Sequence, residues 1–142
     1  MFEQYTEQAR RAVLFARWEA GAEGAPAIAG EHLLLGLLRT DVGIEKALPD
    51  PEAAKRIRKS IEQRYAGGEK LPTFVDMPLS DDCKDVFEEA EKLNHPLIGT
   101  KHLLVALLHQ ENCLAAQILR EQGFELEKFR SQPAPLNPSD FE

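Results

Sequence analysis

Apolar residues along this chain recur at the helical interval. Ala9, Ala12, Val13 and Ala16 stand at i, i+3, i+4 and i+7, and Cys83, Val86, Phe87 and Ala90 repeat that spacing. Each set forms one stripe on an amphipathic helix. Thr6 and Ser80 precede the two stripes, where a hydroxyl can accept a bond from a free backbone amide. The acids behind them, Glu7 and Asp81-Asp82, suit the positive end of a helix dipole. After a loop holding Pro26 or Pro96 comes a Leu-rich run, residues 33–38 and 103–108, apolar on most faces and therefore central.

Shorter elements follow each run. A short helix is expected near Ile44–Leu48, and another at Leu114–Glu121. Asp50 and Pro51 read as the N-cap and first residue of a helix reaching about Tyr65, with Ile57 and Ile61 on one face. Gly123 reads as a C-cap before a last helix near Leu126–Gln132. Thr73–Met77 is the one weak strand candidate, so the predicted class is all-α.

The chain also repeats itself. Residues 28–38 align with residues 98–108 at an offset of 70, with six of eleven positions identical, including Ile28 with Ile98 and His32 with His102. The preceding stripes align at an offset of 74, Thr6 with Ser80 and Ala9 with Cys83, which places an insertion in the loop around residues 21–27. Two tandem copies of one helical unit account for this pattern. The first copy is expected over about residues 2–66, a connector over about 67–78, and the second copy over about 79–132. Together they make one domain, residues 1–132, followed by a Pro-rich tail over 133–142.

Composition narrows the function. At 142 residues, 43% of them hydrophobic and 29% charged, the chain suits one globular domain with a real core. A net charge of −7 repels phosphate backbones and anionic lipid, so nucleic acid and membrane surfaces are not expected partners. Neither Leu-rich run approaches the roughly 18 to 20 apolar residues that span a bilayer. The first residues lack a basic, apolar secretory signal, and two cysteines are too few for a disulfide framework, so a cytoplasmic protein with reduced thiols is expected.

The phrase from Asn94 through His95, Pro96, Leu97, Ile98, Gly99, Thr100, Lys101 and His102 to Leu108 closely resembles the signature of the Clp amino-terminal domain. That domain is found on Clp-type protein-unfolding ATPases. Residues 28–38 look like a worn copy of the same phrase, and the opening Tyr5-Thr6-Glu7-Gln8-Ala9 is similar to the family's usual start. The resemblance covers about Phe2 to Arg130. It implies a pseudo-twofold bundle of eight helices that binds substrate proteins or adaptors and has no activity of its own. The ATPase modules are missing from this sequence, since no Gly-x-x-x-x-Gly-Lys-Ser/Thr phosphate loop occurs in it. A stand-alone domain and a piece of a longer unfoldase both fit.

Candidate chemistry is sparse. His32 and His102 hold equivalent places at the starts of the Leu-rich helices, where an imidazole is expected to bond loop carbonyls and fix the helix start. His102 and His109 are two turns apart, too far to chelate one ion as an i, i+4 pair would, so neither a metal nor another cofactor is expected. Cys83 falls on the core stripe and Cys113 aligns with Gly43 near a turn, with no base placed to activate either thiol. No catalytic residue is assigned. In the branch of the family that reads phosphoarginine, the residues matching Thr6 and Glu31 contribute to the ligand site, so the resemblance makes these two the candidate ligand-binding residues. A carboxylate pairs with a guanidinium, and a capped helix start offers amides to a phosphoryl group. The pattern departs from the family where Gln8 replaces a basic residue, where Lys101 replaces the acid in the second copy, and at Asp81-Asp82. A surviving site is therefore expected in the first copy.

The expected function is a non-catalytic interaction module that binds unfolded or tagged polypeptides, adaptor proteins or Clp subunits for an unfoldase and its protease. The alternatives are a phosphoarginine-tag receptor and an accessory subunit that docks on a Clp complex. Binding is expected at a groove along the seam between the copies, with Phe2, Tyr5, Trp18 and Phe74 as aromatic residues not claimed by a core stripe.

Overall fold

The computed structural model describes residues 4–66, 69, 77–92, 97–110 and 113–130, with Arg130 for its backbone alone. Those residues hold eight helices, in chain order α1 (Glu7–Glu23), α2 (Gly30–Thr40), α3 (Val42–Lys46), α4 (Ala53–Arg64), α5 (Asp81–Lys92), α6 (Thr100–His109), α7 (Leu114–Glu121) and α8 (Leu126–Arg130). Extended pairing among the described residues is limited to two isolated bridges, Tyr5 with Ile98 and Ile28 with Leu79. Most of the strand candidate Thr73–Met77 and all but Glu69 of the connector core lie outside the described residues, and Met77 itself is in no strand.

The helix ends follow from local chemistry. Thr6 caps α1, its Oγ1 accepting the Ala9 N–H at 3.1 Å, and Ser80 Oγ accepts the Cys83 N–H at 3.3 Å ahead of α5. Helix α1 absorbs Gly21 and stops only at Gly24, whose φ of 70° suits a residue without a Cβ, while the Ala25 N–H closes on the Ala20 carbonyl at 2.9 Å. Helix α3 begins earlier than the expected Ile44, because Asp41 Oδ1 accepts the Gly43 N–H at 2.9 Å and nucleates the turn there. Helix α4 begins later than expected. Asp50 Oδ1 takes the Glu52 N–H at 2.9 Å and its carbonyl takes the Ala53 N–H, so Asp50 and Pro51 sit in a side-chain turn that precedes the helix.

His32 and His102 do fix the starts of α2 and α6, but with reversed polarity from the expected carbonyl contacts. Nδ1 of His32 accepts the Ala29 N–H at 3.0 Å, and Nδ1 of His102 accepts the Gly99 N–H at 2.9 Å. Each ring takes the role an N3 Glu plays in a capping box, which sets the neutral tautomer with its proton on Nε2.

The copies interlock by exchange. The Thr6 N–H donates to the Ile98 carbonyl and the Ile98 N–H to the Gln4 carbonyl, at 2.9 and 2.8 Å. The equivalent residues repeat this with roles swapped, Ser80 to Ile28 at 2.9 Å and Ile28 to Pro78 at 2.8 Å. Each copy therefore supplies the segment before its first helix to the Leu-rich helix start of the other, which is the signature of a pseudo-twofold axis.

A single core lies around that axis. Leu33, Leu34, Leu35 and Leu37 of α2 and Leu103, Leu104 and Leu107 of α6 are fully buried, each contributing roughly 1.5–3 kcal/mol of burial. Helix α2 touches α1, α3, α4, α5, α6 and α7, so its near-continuous apolar surface has a partner on most sides. Its closest neighbour is α1, whose small residues Ala9, Ala12, Ala16 and Ala20 are buried and let the two backbones approach.

Candidate functional site

The exchange builds two junctions at which a helix start from one copy meets a helix start from the other. At the first, Thr6 stands beside the start of α6, and Thr100 Oγ1 donates to Asp41 Oδ2 at 2.9 Å. At the second, Ser80 and Asp82 of α5 meet the start of α2, where a Cβ on Gly30 would stand 3.0 Å from Asp82 Oδ2 and 2.7 Å from Cys113 Sγ. Side-chain volume is balanced across the pseudo-axis. Thr100 stands near Gly43 at one junction, and Gly30 faces Cys113 at the other, which are the same two positions with large and small exchanged.

Thr6 and Glu31 consequently lie at opposite junctions. A site assembled from the first copy alone does not match this crossing. Glu31 is buried at the second junction, where the Tyr65 hydroxyl donates to its Oε2 at 2.7 Å and the Tyr65 ring lies 5.0 Å from His32. Burial first, then this bond, pushes the Tyr65 hydroxyl pKa up. The residue that shares Glu31's junction in place of a threonine is Ser80, whose hydroxyl donates to Asp82 Oδ1. Lys101 projects elsewhere, its Nζ 5.7 Å from the centre of the Phe129 ring.

The thiols are inert by placement. Burial and the Asp82 carboxylate push Cys83 up to about 12, and burial raises Cys113 to about 11 despite amides at the start of α7 that favour its thiolate. The Cys113 thiol donates to Asp82 Oδ2 at 3.4 Å. Among the described residues no three of His, Cys, Asp and Glu gather as metal ligands would, and no helix is long and apolar enough to cross a membrane.

The seam holds no aromatic surface at Tyr5. That residue, expected to be unclaimed, is 1% exposed, packs 6.1 Å from the Phe87 ring and donates its hydroxyl to Glu91. Phe2 and Phe74 lie outside the described residues. Among the described residues, a groove of about 530 Å3 opens on the α1 and α2 pair, inside the first copy and lined by Leu14, Phe15, Arg17, Trp18 and Arg39. Leu14 is 68% exposed and Trp18 41%. Because a helical side chain leans toward its own N-terminus, Arg39 at the end of α2 reaches back over α1, its guanidinium 4.5 Å from the Phe15 ring centre and 5.1 Å from that of Trp18. It also touches Glu19, a carboxylate 1% exposed that Arg58 grips with two bonds of 2.9 and 3.1 Å. Trp18 was legible as a candidate from sequence. Leu14 and Arg39 were not, although Leu14 and Trp18 form an i, i+4 pair off the alanine stripe.

The eight helices of the described residues, in two interlocked copies with helix-start junctions and an exposed groove, define a pseudo-twofold all-helical domain. The family model of the Clp repeat N-terminal domain matches residues 79–134, the second copy. The chain is 34% identical to the negative regulator of genetic competence ClpC/MecB of Bacillus subtilis and 35% identical to the chaperone protein ClpB of Oceanobacillus iheyensis. Each alignment covers 96% of this chain and 17% of the relative, so the chain spans about one sixth of the length of these curated relatives. Among solved structures, the N-terminal domain of the caseinolytic protease associated chaperone ClpD from Arabidopsis thaliana matches with a TM-score of 0.68 and 26% identity, covering 91% of this chain and 94% of that one. The Hsp104 N-terminal domain from Candida albicans, 16% identical over 91% of this chain and 88% of its own, shares the fold with a TM-score of 0.73.

Proposed function

We propose that this protein is a non-catalytic interaction module that binds substrate polypeptides or adaptors for a Clp-type unfoldase and protease system, acting in the cytoplasm. The observation that carries this reading is the exposed groove of Leu14, Phe15 and Trp18 on a domain whose second copy matches the Clp repeat N-terminal domain model. Exposed apolar area of this kind is what a polypeptide covers on binding. Docking on a Clp complex as an accessory subunit would use the same surface. The test is a titration with a reduced, alkylated protein held unfolded, followed by calorimetry, together with co-purification with Clp subunits. Binding to either is the expected result. Absence of both, or a hydrolase activity that co-purifies with the chain, overturns the reading.

A second reading has one observation in its favour. The crossing of the copies brings Ser80 and Glu31 to one junction, a hydroxyl and a carboxylate in the combination that the resemblance associates with phosphoarginine, while Thr6 sits at the other. Asp82 stands in the same corner and opposes a phosphoryl group. Comparing a phosphoarginine peptide with its unmodified form separates the two readings. Selective binding that disappears in Glu31→Ala supports the receptor reading, and equal binding rejects it.

A further inference from the structure

Resting on the polypeptide-binding reading, we infer that the α1–α2 groove selects acidic segments of its partners, taking a carboxylate at Arg39 and a large apolar side chain against Leu14 and Trp18. Two observations carry this. The first is the charge of the lining. Its five residues include two guanidinium groups and no carboxylate, in a chain whose net charge is −7. Glu19, the acid that Arg39 touches, is buried and already gripped twice by Arg58, so it does not use up the Arg39 charge. The second is the state of Arg39. Of its five N–H donors, the described residues engage one, Nη1 with Glu19 Oε1 at 3.2 Å. The Phe15 and Trp18 rings meanwhile hold its guanidinium carbon 4.5 and 5.1 Å from their centres.

A guanidinium seated against two rings, with donors left over, is prepared for a planar anionic acceptor. A carboxylate satisfies its fork without the entropy loss of ordering a free arginine. The rings and Leu14 around it exclude water on one side, which strengthens that pair relative to one in open solvent. A basic segment would meet the Arg39 charge instead, and an uncharged apolar one would leave its remaining donors unanswered.

Trp18 is the chain's single tryptophan, so its emission reports the site directly. The probe is a short synthetic peptide of alternating glutamate and leucine, compared with the same peptide carrying lysine for glutamate. The glutamate peptide is expected to shift Trp18 emission saturably, and more weakly as salt is raised, while the lysine peptide is not. Arg39→Gln should weaken binding roughly tenfold, about 1.4 kcal/mol. Leu14→Glu, at a position open enough to leave folding untouched, should weaken it at least as much. Equal binding of the two peptides overturns the inference. So does a response that both variants retain, or a Trp18 shift with anionic phosphatidylserine vesicles that the peptide does not match. If unfolded protein binds the parent and both variants alike, the interaction-module reading stands and this inference falls; if nothing binds the parent, both fall.

Discussion

Gly36 of α2 lies directly against the backbone of α1 at Ala12. A Cβ at Gly36 would stand 2.1 Å from the Ala12 carbonyl oxygen and 3.1 Å from the Ala16 nitrogen, and both neighbours are main chain that cannot turn aside. Gly36→Ala therefore has to push α1 away from α2. The expected cost is about 3 kcal/mol, the upper end for an overpacked core, read as a lower urea midpoint. Gly99→Ala is the control. Its Cβ would meet nothing closer than 3.9 Å, so the change should stay within about 0.5 kcal/mol.

The two Leu-rich helices should prove equivalent. Leu34→Ala and Leu104→Ala each remove a fully buried side chain and are expected to destabilise by roughly 2–5 kcal/mol in chemical denaturation. A loss under half a kilocalorie at either position would mean that its helix is not central.

Stability should fall in mild acid through His32. Burial is the main cause that lowers its pKa, against the opposing pull of Glu31, Glu19 and Asp82. Its Nδ1 accepts an amide, so protonation there also breaks the Ala29 cap. A histidine lowered in the folded state leaves the unfolded chain holding more protons. Its contribution is then fully present above the unfolded value near 6.5 and is lost as pH falls below it. Urea midpoints at about pH 7.5 and about pH 5.5 should differ, and the difference should shrink in His32→Asn, which keeps an acceptor but cannot titrate. An unchanged difference would assign the acid sensitivity to the carboxylates.

Both cysteines should resist alkylation in the native protein. Their thiols are buried and pushed up to about 12 and about 11. Iodoacetamide near neutral pH is expected to leave them unmodified by mass spectrometry until denaturant is added. Rapid native labelling of Cys113 would show that α7 opens locally from Asp82.

The helices were legible because their apolar spacing is a local property, and the repeat was legible because two copies preserve one register. What escaped was non-local. Tyr5 lies just before α1, where no periodicity places it, and it is buried because its segment pairs with Ile98 of the other copy. The polarity of the histidine caps was hidden for a different reason, since a ring accepts or donates according to which backbone group the turn presents. The division of Thr6 and Glu31 between junctions follows from the exchange, which no single copy's sequence contains. The groove depends on Arg39 crossing from α2 to Phe15 and Trp18 on α1, a contact made by the antiparallel pairing of two helices and by no spacing within either.

The reciprocal bonds at Ile28 and Ile98 also bear on how such a domain arises. A lone copy of the unit would leave the N–H and carbonyl of that isoleucine without the partners that the other copy now supplies, at the mouth of an apolar core. Two identical units would satisfy each other by the same exchange, as an isologous homodimer. Joined in one polypeptide, the halves no longer need to be identical, and each junction is free to drift on its own. The chain is in this sense a dimer that has been allowed to become asymmetric, with a hydroxyl and an acid collected at one corner and a single exposed tryptophan on one half only.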